Sequence, residues 1–362
     1  MAGILKNVRI AGIACAVPEK KINYTDFFNS FGEKNVKKFV KMTGVKERHI
    51  ADKNQTSSDL AYEAAVKLIE KLGWERETID GIIYITQTPD YRIPATACVL
   101  HSRLGLKEDC IAFDVNLGCS GYVYGIQMAA MYMQCSDINR LILLTGDTIN
   151  KFISEEDKSS AMLFGDAGSA TALEKGTLGD DIKYLMRTRG DDFKAIIIPS
   201  GACRNMDGDK ARKECAEGVI RSDYELYMNG TEVFNFTIDD VPKTIKEFKN
   251  HFEINDDDID MYVFHQANLF MLKTIASRVG IELDNMPVSI DRFGNTSVTS
   301  IPLTLCDACE RSLGHKRLNL ICSGFGIGLS WGVISMSVDS DMCLPIIYTN
   351  EHYENGGLDF ND

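Results

Sequence analysis

A chain of 362 residues, 44% of them hydrophobic and 25% charged, can bury a large core. No apolar run reaches the roughly 18 residues of a membrane-crossing helix, and a formal charge of −13 argues against nucleic acid as a main partner, because phosphate binding needs clustered cations. Eleven irregularly spaced cysteines fit a reducing compartment better than a disulfide framework, and most are expected to be buried as small hydrophobes.

The opening segment, MAGILKNVRIAGIACAVPEKK, alternates like a strand. It lacks the basic start, long apolar centre and small-residue cleavage site of a secretory leader, so the cytoplasm is the expected compartment. Next, EKNVKKFVKMTGVKERH gathers Lys34, Lys37, Lys38, Lys41, Lys46 and Arg48. Two readings stand for it: a solvated helix face, or a landing site for a phosphate-bearing substrate or an acidic carrier protein. SSDLAYEAAVKLIEKLGW then combines Ser and Asp capping signals with apolar residues every three or four positions, which predicts a helix. It leads into the apolar strand of IDGIIYITQT (79–88).

A further strand, IAFDV, runs into NLGCSGYVYGI (116–126), where Cys119 opens a segment that is apolar on nearly every face, as a buried helix is. A thiol there meets the positive end of the helix dipole and unpaired N–H groups, which are expected to lower its pKa and favour the thiolate. Gly118 and Gly121 let the backbone turn and leave the sulfur approachable. Cys119 is therefore a candidate nucleophile. In the CxxC of TLCDACERS, Cys306 and Cys309 have neither a second CxxC nor a nearby His to complete a zinc site, and no metal is expected.

The second part of the chain repeats the first. IDGIIYITQT matches IDMYVFHQAN (259–268), HSRLGL matches ASRVGI, FDVNLGCS parallels SIDRFGNTS, and RLILLTG matches RLNLICSG, in one order and at separations of 175 to 180 residues. Two related α/β halves are expected, 1–180 and 181–362, each with strands buried on both faces. The insert SGACRNMDGDKARKECAEG and the polar tail after Pro345 break the pattern and are expected outside the core. Cys119 and Asn295 fall on equivalent turns, and His265 follows a strand equivalent to one in the first half. Packed about a pseudo-twofold axis, the halves would bring these three together. Taken singly, His265 reads equally as a satisfied core histidine and Asn295 as a turn residue.

NLGCSGYVYG, FHQAN, RFGNTSVTSIPL and SGFGIGLSWG together resemble the ketoacyl synthase III group of the thiolase superfamily. TGVKERHIA, TQTPDYRIPATA and FGDAGSATAL extend the resemblance from residue 7 to about 336. It implies a thiolase fold, two pseudo-duplicated βαβαβαββ halves in a five-layered αβαβα arrangement, and a homodimer. It also implies that Cys119 accepts the acyl group and that His265 and Asn295 complete a Cys-His-Asn triad. The N–H groups of Cys119 and Ile327 would form the oxyanion hole. Phe164, Leu226 and Met228 would line the acyl pocket, with Ile93 reaching in from the partner subunit, and Lys37, Lys38, Lys41 and Lys158 would meet coenzyme A or a carrier protein.

The implied reaction is a decarboxylative Claisen condensation of an acyl thioester with malonyl-acyl carrier protein, in fatty acid or specialised acyl-chain biosynthesis. Acyl-CoA or acyl carrier protein thioesters would be the substrates, and no cofactor is implied. GNTS excludes the Cys-His-Cys and Cys-His-His sets of thiolases and elongating synthases. Lys38 and Met42 stand where family members using coenzyme A commonly carry Trp and Arg, and Phe270 stands where an arginine is often found. The alternative is an acyltransferase on the same fold that passes the Cys119 acyl group to an oxygen or nitrogen nucleophile.

Overall fold

The computed structural model describes residues 1–216, 218–311 and 315–358. Glu217 of the insert and residues 359–362 of the tail lie outside the described residues.

Two sheets form the frame. The first has six strands, in the spatial order Ile347–Thr349, Val8–Pro18, Ala167–Lys175, Arg140–Asp147, Gly81–Ile85 and Ile111–Val115. The second has five, in the order Ala2–Leu5, Ile182–Thr188, Ser330–Asp339, Arg317–Gly326 and Met261–Phe264. Strands of the two sheets correspond: Gly81–Ile85 runs parallel to Arg140–Asp147 as Met261–Phe264 does to Arg317–Gly326, and an antiparallel partner follows in each. The parallel pairs contain segments that repeat in the sequence.

The helices Gly121–Cys135 and Ser300–Glu310 touch both sheets and form the middle layer. Ser57–Leu72 and Thr96–Leu104 cover the outer face of the first sheet, and Gly230–His251 with Leu269–Val279 covers that of the second. Five layers result, in the αβαβα arrangement expected. Three apolar clusters fill the gaps, and the central one joins Tyr122, Val123 and Ile126 to Ile301, Leu303 and Leu305. Ser57–Leu72 is capped by Thr56 rather than by a serine of the predicted segment, and Asp59 accepts from the N–H of Thr56 at 2.8 Å to close a capping box.

Three features depart from the sequence reading. The counterpart of Ile111–Val115 is a helical turn, Ile290–Phe293, so the repeat is inexact there. The tail, expected outside the core, adds Ile347–Thr349 as a parallel strand beside Val8–Pro18, and the Gln55 side chain donates to the Thr349 carbonyl at 3.0 Å. The terminal strands also cross between halves, since Ala2–Leu5 joins the second sheet and Ile347–Thr349 the first.

Helix Ser57–Leu72 presses its backbone onto Gly168, where a Cβ would lie 2.3 Å from the Ala61 nitrogen. Gly168→Ala is therefore expected to cost about 2 kcal/mol or more, read as a lowered urea midpoint with an unchanged slope.

Candidate active site

Cys119 occupies the turn between Ile111–Val115 and Gly121–Cys135. The next residue, Ser120, ties this turn to the second half, its hydroxyl lying 2.6 Å from that of Ser330, which itself donates to the Ile327 carbonyl at 2.8 Å. The turn at 324–328 comes so close that a Cβ on Gly326 would stand 2.7 Å from the Cys119 Cβ and 3.1 Å from Sγ. Only glycine leaves that space, and the approach brings the N–H groups of Cys119 and Ile327 to the sulfur.

His265 follows the strand Met261–Phe264, with its N–H donating to the Ser323 carbonyl at 2.9 Å. Its ring packs edge-on to Phe325, with centroids 5.3 Å apart, and Nδ1 lies 2.7 Å from the Ser300 hydroxyl. Ser300 has one proton for two acceptors, since the Ser297 carbonyl is also within 2.9 Å. When the proton goes to Nδ1, Nε2 carries the ring N–H and can donate. When it goes to Ser297, Nδ1–H donates to Ser300 and Nε2 keeps a lone pair.

Asn295 is fixed by its backbone, which accepts from the Gly165 N–H at 3.1 Å and donates to the Leu163 carbonyl at 2.9 Å. Its Oδ1 accepts from the Ser297 N–H at 3.0 Å, so the oxygen is occupied and the NH2 remains to donate.

Cys119, His265 and Asn295 share one cavity of about 830 Å³ with Ile327, Phe164, Leu226 and Met228. Lys38 and Lys158 also line it. Ile93 does not, and at 86% exposure it points away from the core of its own chain. Lys37 and Lys41 are outside the lining too; Lys37 lies 2.5 Å from Glu33 on the exposed helix Glu33–Thr43. Arg48 does not belong to a surface patch at all: it is 4% exposed and donates to the Phe164 carbonyl at 2.8 Å and to Asn150 at 3.1 Å. The insert reaches the site, because the Lys158 side chain lies against Gly218, where a Cβ would meet it at 2.6 Å.

The electrostatics overturn one expectation. Burial pushes the Cys119 thiol up to about 12, and the Asp147 carboxylate adds to the rise. The Ser297 hydroxyl and the N–H groups of Cys119 and Ile327 oppose it without prevailing. Desolvation of the charged sulfur outweighs the helix terminus, whose fixed dipoles cannot replace bulk water. The same burial lowers His265 to about 3, so its imidazole is neutral. Asp147, fully buried at the end of Arg140–Asp147, is raised to about 6.

Sequence reasoning passed over Asp147, Ser297 and Ser300. A charged residue closing a strand with the apolar run LILL was the available signal for Asp147. Among the described residues no group of three or more His, Cys, Asp or Glu side chains is placed to hold a metal ion.

Residues 113–190 match the family model of 3-oxoacyl-(acyl-carrier-protein) synthase III, and residues 250–338 match the model of its C-terminal part. A putative 3-oxoacyl-(acyl-carrier-protein) synthase 3 of Campylobacter jejuni is 34% identical over 332 residues, covering 90% of this chain and 92% of its own. The chain belongs to this family. A β-ketoacyl-(acyl-carrier-protein) synthase III of Staphylococcus aureus is also 34% identical, over 91% of this chain and 98% of its own. The crystal structure of a 3-oxoacyl-(acyl-carrier protein) synthase from Burkholderia xenovorans superposes with a TM-score of 0.90 at 37% identity, covering 96% of this chain and 99% of the other. The five layers are thus those of the thiolase fold.

Within that family frame the exposed part of the cavity lining sets an aromatic pair beside Asn35 and Lys38. Phe270, 52% exposed, stacks on Phe234 with ring centroids 5.8 Å apart, and both rings line the cavity together with Met42 and Phe31.

Proposed function

We propose that this synthase III family member condenses an acyl thioester with malonyl-acyl carrier protein, releasing carbon dioxide and forming a 3-oxoacyl thioester for fatty acid or specialised acyl-chain biosynthesis. The observation that carries the reading is the convergence of a thiol, a neutral imidazole, a donating amide and two backbone N–H groups on one largely apolar cavity.

The Cys119 thiolate attacks the acyl carbonyl, and the N–H groups of Cys119 and Ile327 hold the oxyanion until the donor thiol leaves. The acyl chain lies against Phe164, Leu226 and Met228. A malonyl thioester then enters, and its C–C bond to the carboxylate breaks to release carbon dioxide. Negative charge gathers on the thioester oxygen, where the His265 Nε2–H and the Asn295 NH2 donate to it. The enolate carbon attacks the acyl-Cys119 carbonyl, and the sulfur departs. No cofactor or metal enters any step. Incubation with acyl and malonyl thioesters, with mass detection, tests the reading: product lacking the loss of carbon dioxide would replace it with simple acyl transfer.

The protein acts as a cytoplasmic homodimer of two halves, 1–180 and 181–362, in this reading. The strand Ile111–Val115 ends its sheet half-buried along its whole length, beside Met131 and Tyr132, each 42% exposed. An unpaired edge of this kind suits pairing with a second copy. Ile93 would then reach the partner's acyl pocket, and sedimentation tests the dimer.

Of the proposed carrier contacts, Lys38 and Lys158 have the stronger support, because both line the cavity. Lys38→Glu is expected to raise the KM for the carrier-borne or coenzyme A donor about tenfold and to flatten its salt dependence. Reversal of Lys37 or Lys41 should change it less.

A further inference from the structure

The mechanism leaves the thiol proton of Cys119 without a destination. His265 is a poor acceptor: burial holds its pKa near 3, and the Nε2–H form needed for enolate stabilisation has no lone pair toward the cavity. The other buried ionisable group facing the sulfur is Asp147.

Asp147 is an unusual carboxylate. It is 0% exposed, and among the described residues it makes no ion pair. All its well-formed hydrogen bonds go to one oxygen: Oδ1 accepts from the Gln87 N–H at 2.7 Å, Thr86 Oγ1 at 3.2 Å and Thr88 Oγ1 at 3.5 Å. Oδ2 is buried with no hydrogen bond of good geometry. A native core rarely leaves such an atom idle without a reason. The Ser297 hydroxyl and the Val298 N–H lie beside this carboxyl without closing well-aligned bonds, and the hydroxyl also lies beside the Cys119 sulfur. Ser297 is held there in the left-handed region, at φ +49°, a conformation costly for a residue with a side chain, and its N–H is pinned by Asn295.

We infer that Asp147 accepts the Cys119 proton through the Ser297 hydroxyl. The S–H bond breaks as its proton passes to Ser297 Oγ, and the proton of Ser297 passes to Asp147 Oδ2. The result is a thiolate beside a neutral acid, so the like-charge repulsion between sulfur and carboxylate disappears. Ser297 lines the cavity, so the proton returns through it to the departing thiolate of the donor and the carboxylate is restored. The other ionisable groups that feel the Asp147 charge are Tyr84 and Cys119 itself; Tyr84 is raised well above its ordinary value and stays neutral. Burial sets Asp147 near 6, high enough to take a proton and low enough to be free at neutral pH. This role rests on the acyl-transfer reading of Cys119.

The test follows Cys119 by peptide mass spectrometry, using two probes across pH 5 to 9: iodoacetamide, and a hexanoyl-N-acetylcysteamine thioester. In the native protein both rates should inflect near pH 6 and then level off. In Asp147→Asn and Ser297→Ala they should fall at least about tenfold at pH 7 and climb steadily with pH, without the inflection. Asp147→Asn should melt no lower than the native protein, because a buried charge has been removed. Variants that keep the native pH profile, or an Asp147→Asn that melts lower beside an unaltered Ser297→Ala, would overturn the relay. An inflecting alkylation with no acylation by any thioester would leave the relay standing and remove the condensation reading. Acylation without the inflection would do the reverse.

Discussion

Cys119→Ala is expected to abolish the acyl-protein adduct and to lower condensation by at least about 10⁴-fold, close to the level of the reaction without protein. No other thiol can substitute. The remaining buried cysteines, such as Cys15, Cys306 and Cys322, are in the central core rather than the cavity, and the exposed ones lie elsewhere on the surface. Cys119→Ser should fail almost as completely. A hydroxyl is far less acidic than a thiol, and the burial that already raises Cys119 to about 12 penalises an alkoxide more. In both variants His265 and Asn295 remain in place, so a malonyl thioester should still lose carbon dioxide slowly without forming a carbon-carbon bond. Intact mass after acyl thioester treatment, together with carbon dioxide release from malonyl thioester, checks both halves of this expectation. An acylated Cys119→Ala protein would remove the sulfur from the mechanism.

What could be read from the sequence was set by periodicity and covalent order. The matched segments of the two halves are mostly central strands, whose continuous apolar character follows from burial on both faces and survives divergence. Cys119, His265 and Asn295 were legible because each sits in a turn or at a strand end fixed by that repeat. The direction of the Cys119 shift was not. It depends on how completely the turn around Gly326 shuts out water, which is a tertiary fact supplied by residues some two hundred positions away. Arg48 misled for a related reason: in the sequence it continues a lysine run, yet the strand Glu47–His49 turns its guanidinium inward to hold the Phe164 carbonyl. Asp147 was hidden because a single acid after an apolar run looks like a surface turn until Thr86, Gln87 and Thr88 are seen to enclose it.

His265→Ala is expected to separate the two stages of the reaction. The enolate formed by loss of carbon dioxide has two side-chain donors, and removing one such donor in a dry site lowers the rate by about 10²- to 10³-fold. Acylation of Cys119 needs the oxyanion hole and a proton acceptor, neither of which is His265, so the acyl adduct should still form within about tenfold of the native rate. Asn295→Ala should behave similarly but less cleanly, because its Oδ1 also holds the Ser297 N–H. Because His265 is neutral down to about pH 3, condensation should show no inflection from it between pH 5 and 8. Stability should report the same burial. The unfolded histidine takes a proton below its ordinary 6.5, whereas the folded one resists until about 3, so its contribution is full above 6.5 and is lost as the pH falls through that window. His265→Ala should therefore flatten the acid side of the stability curve while leaving the acyl-Cys119 intermediate to accumulate. Denaturation midpoints between pH 4 and 7 and intact mass during turnover test this. A variant that neither condenses nor becomes acylated would instead give the Cys119 proton to His265.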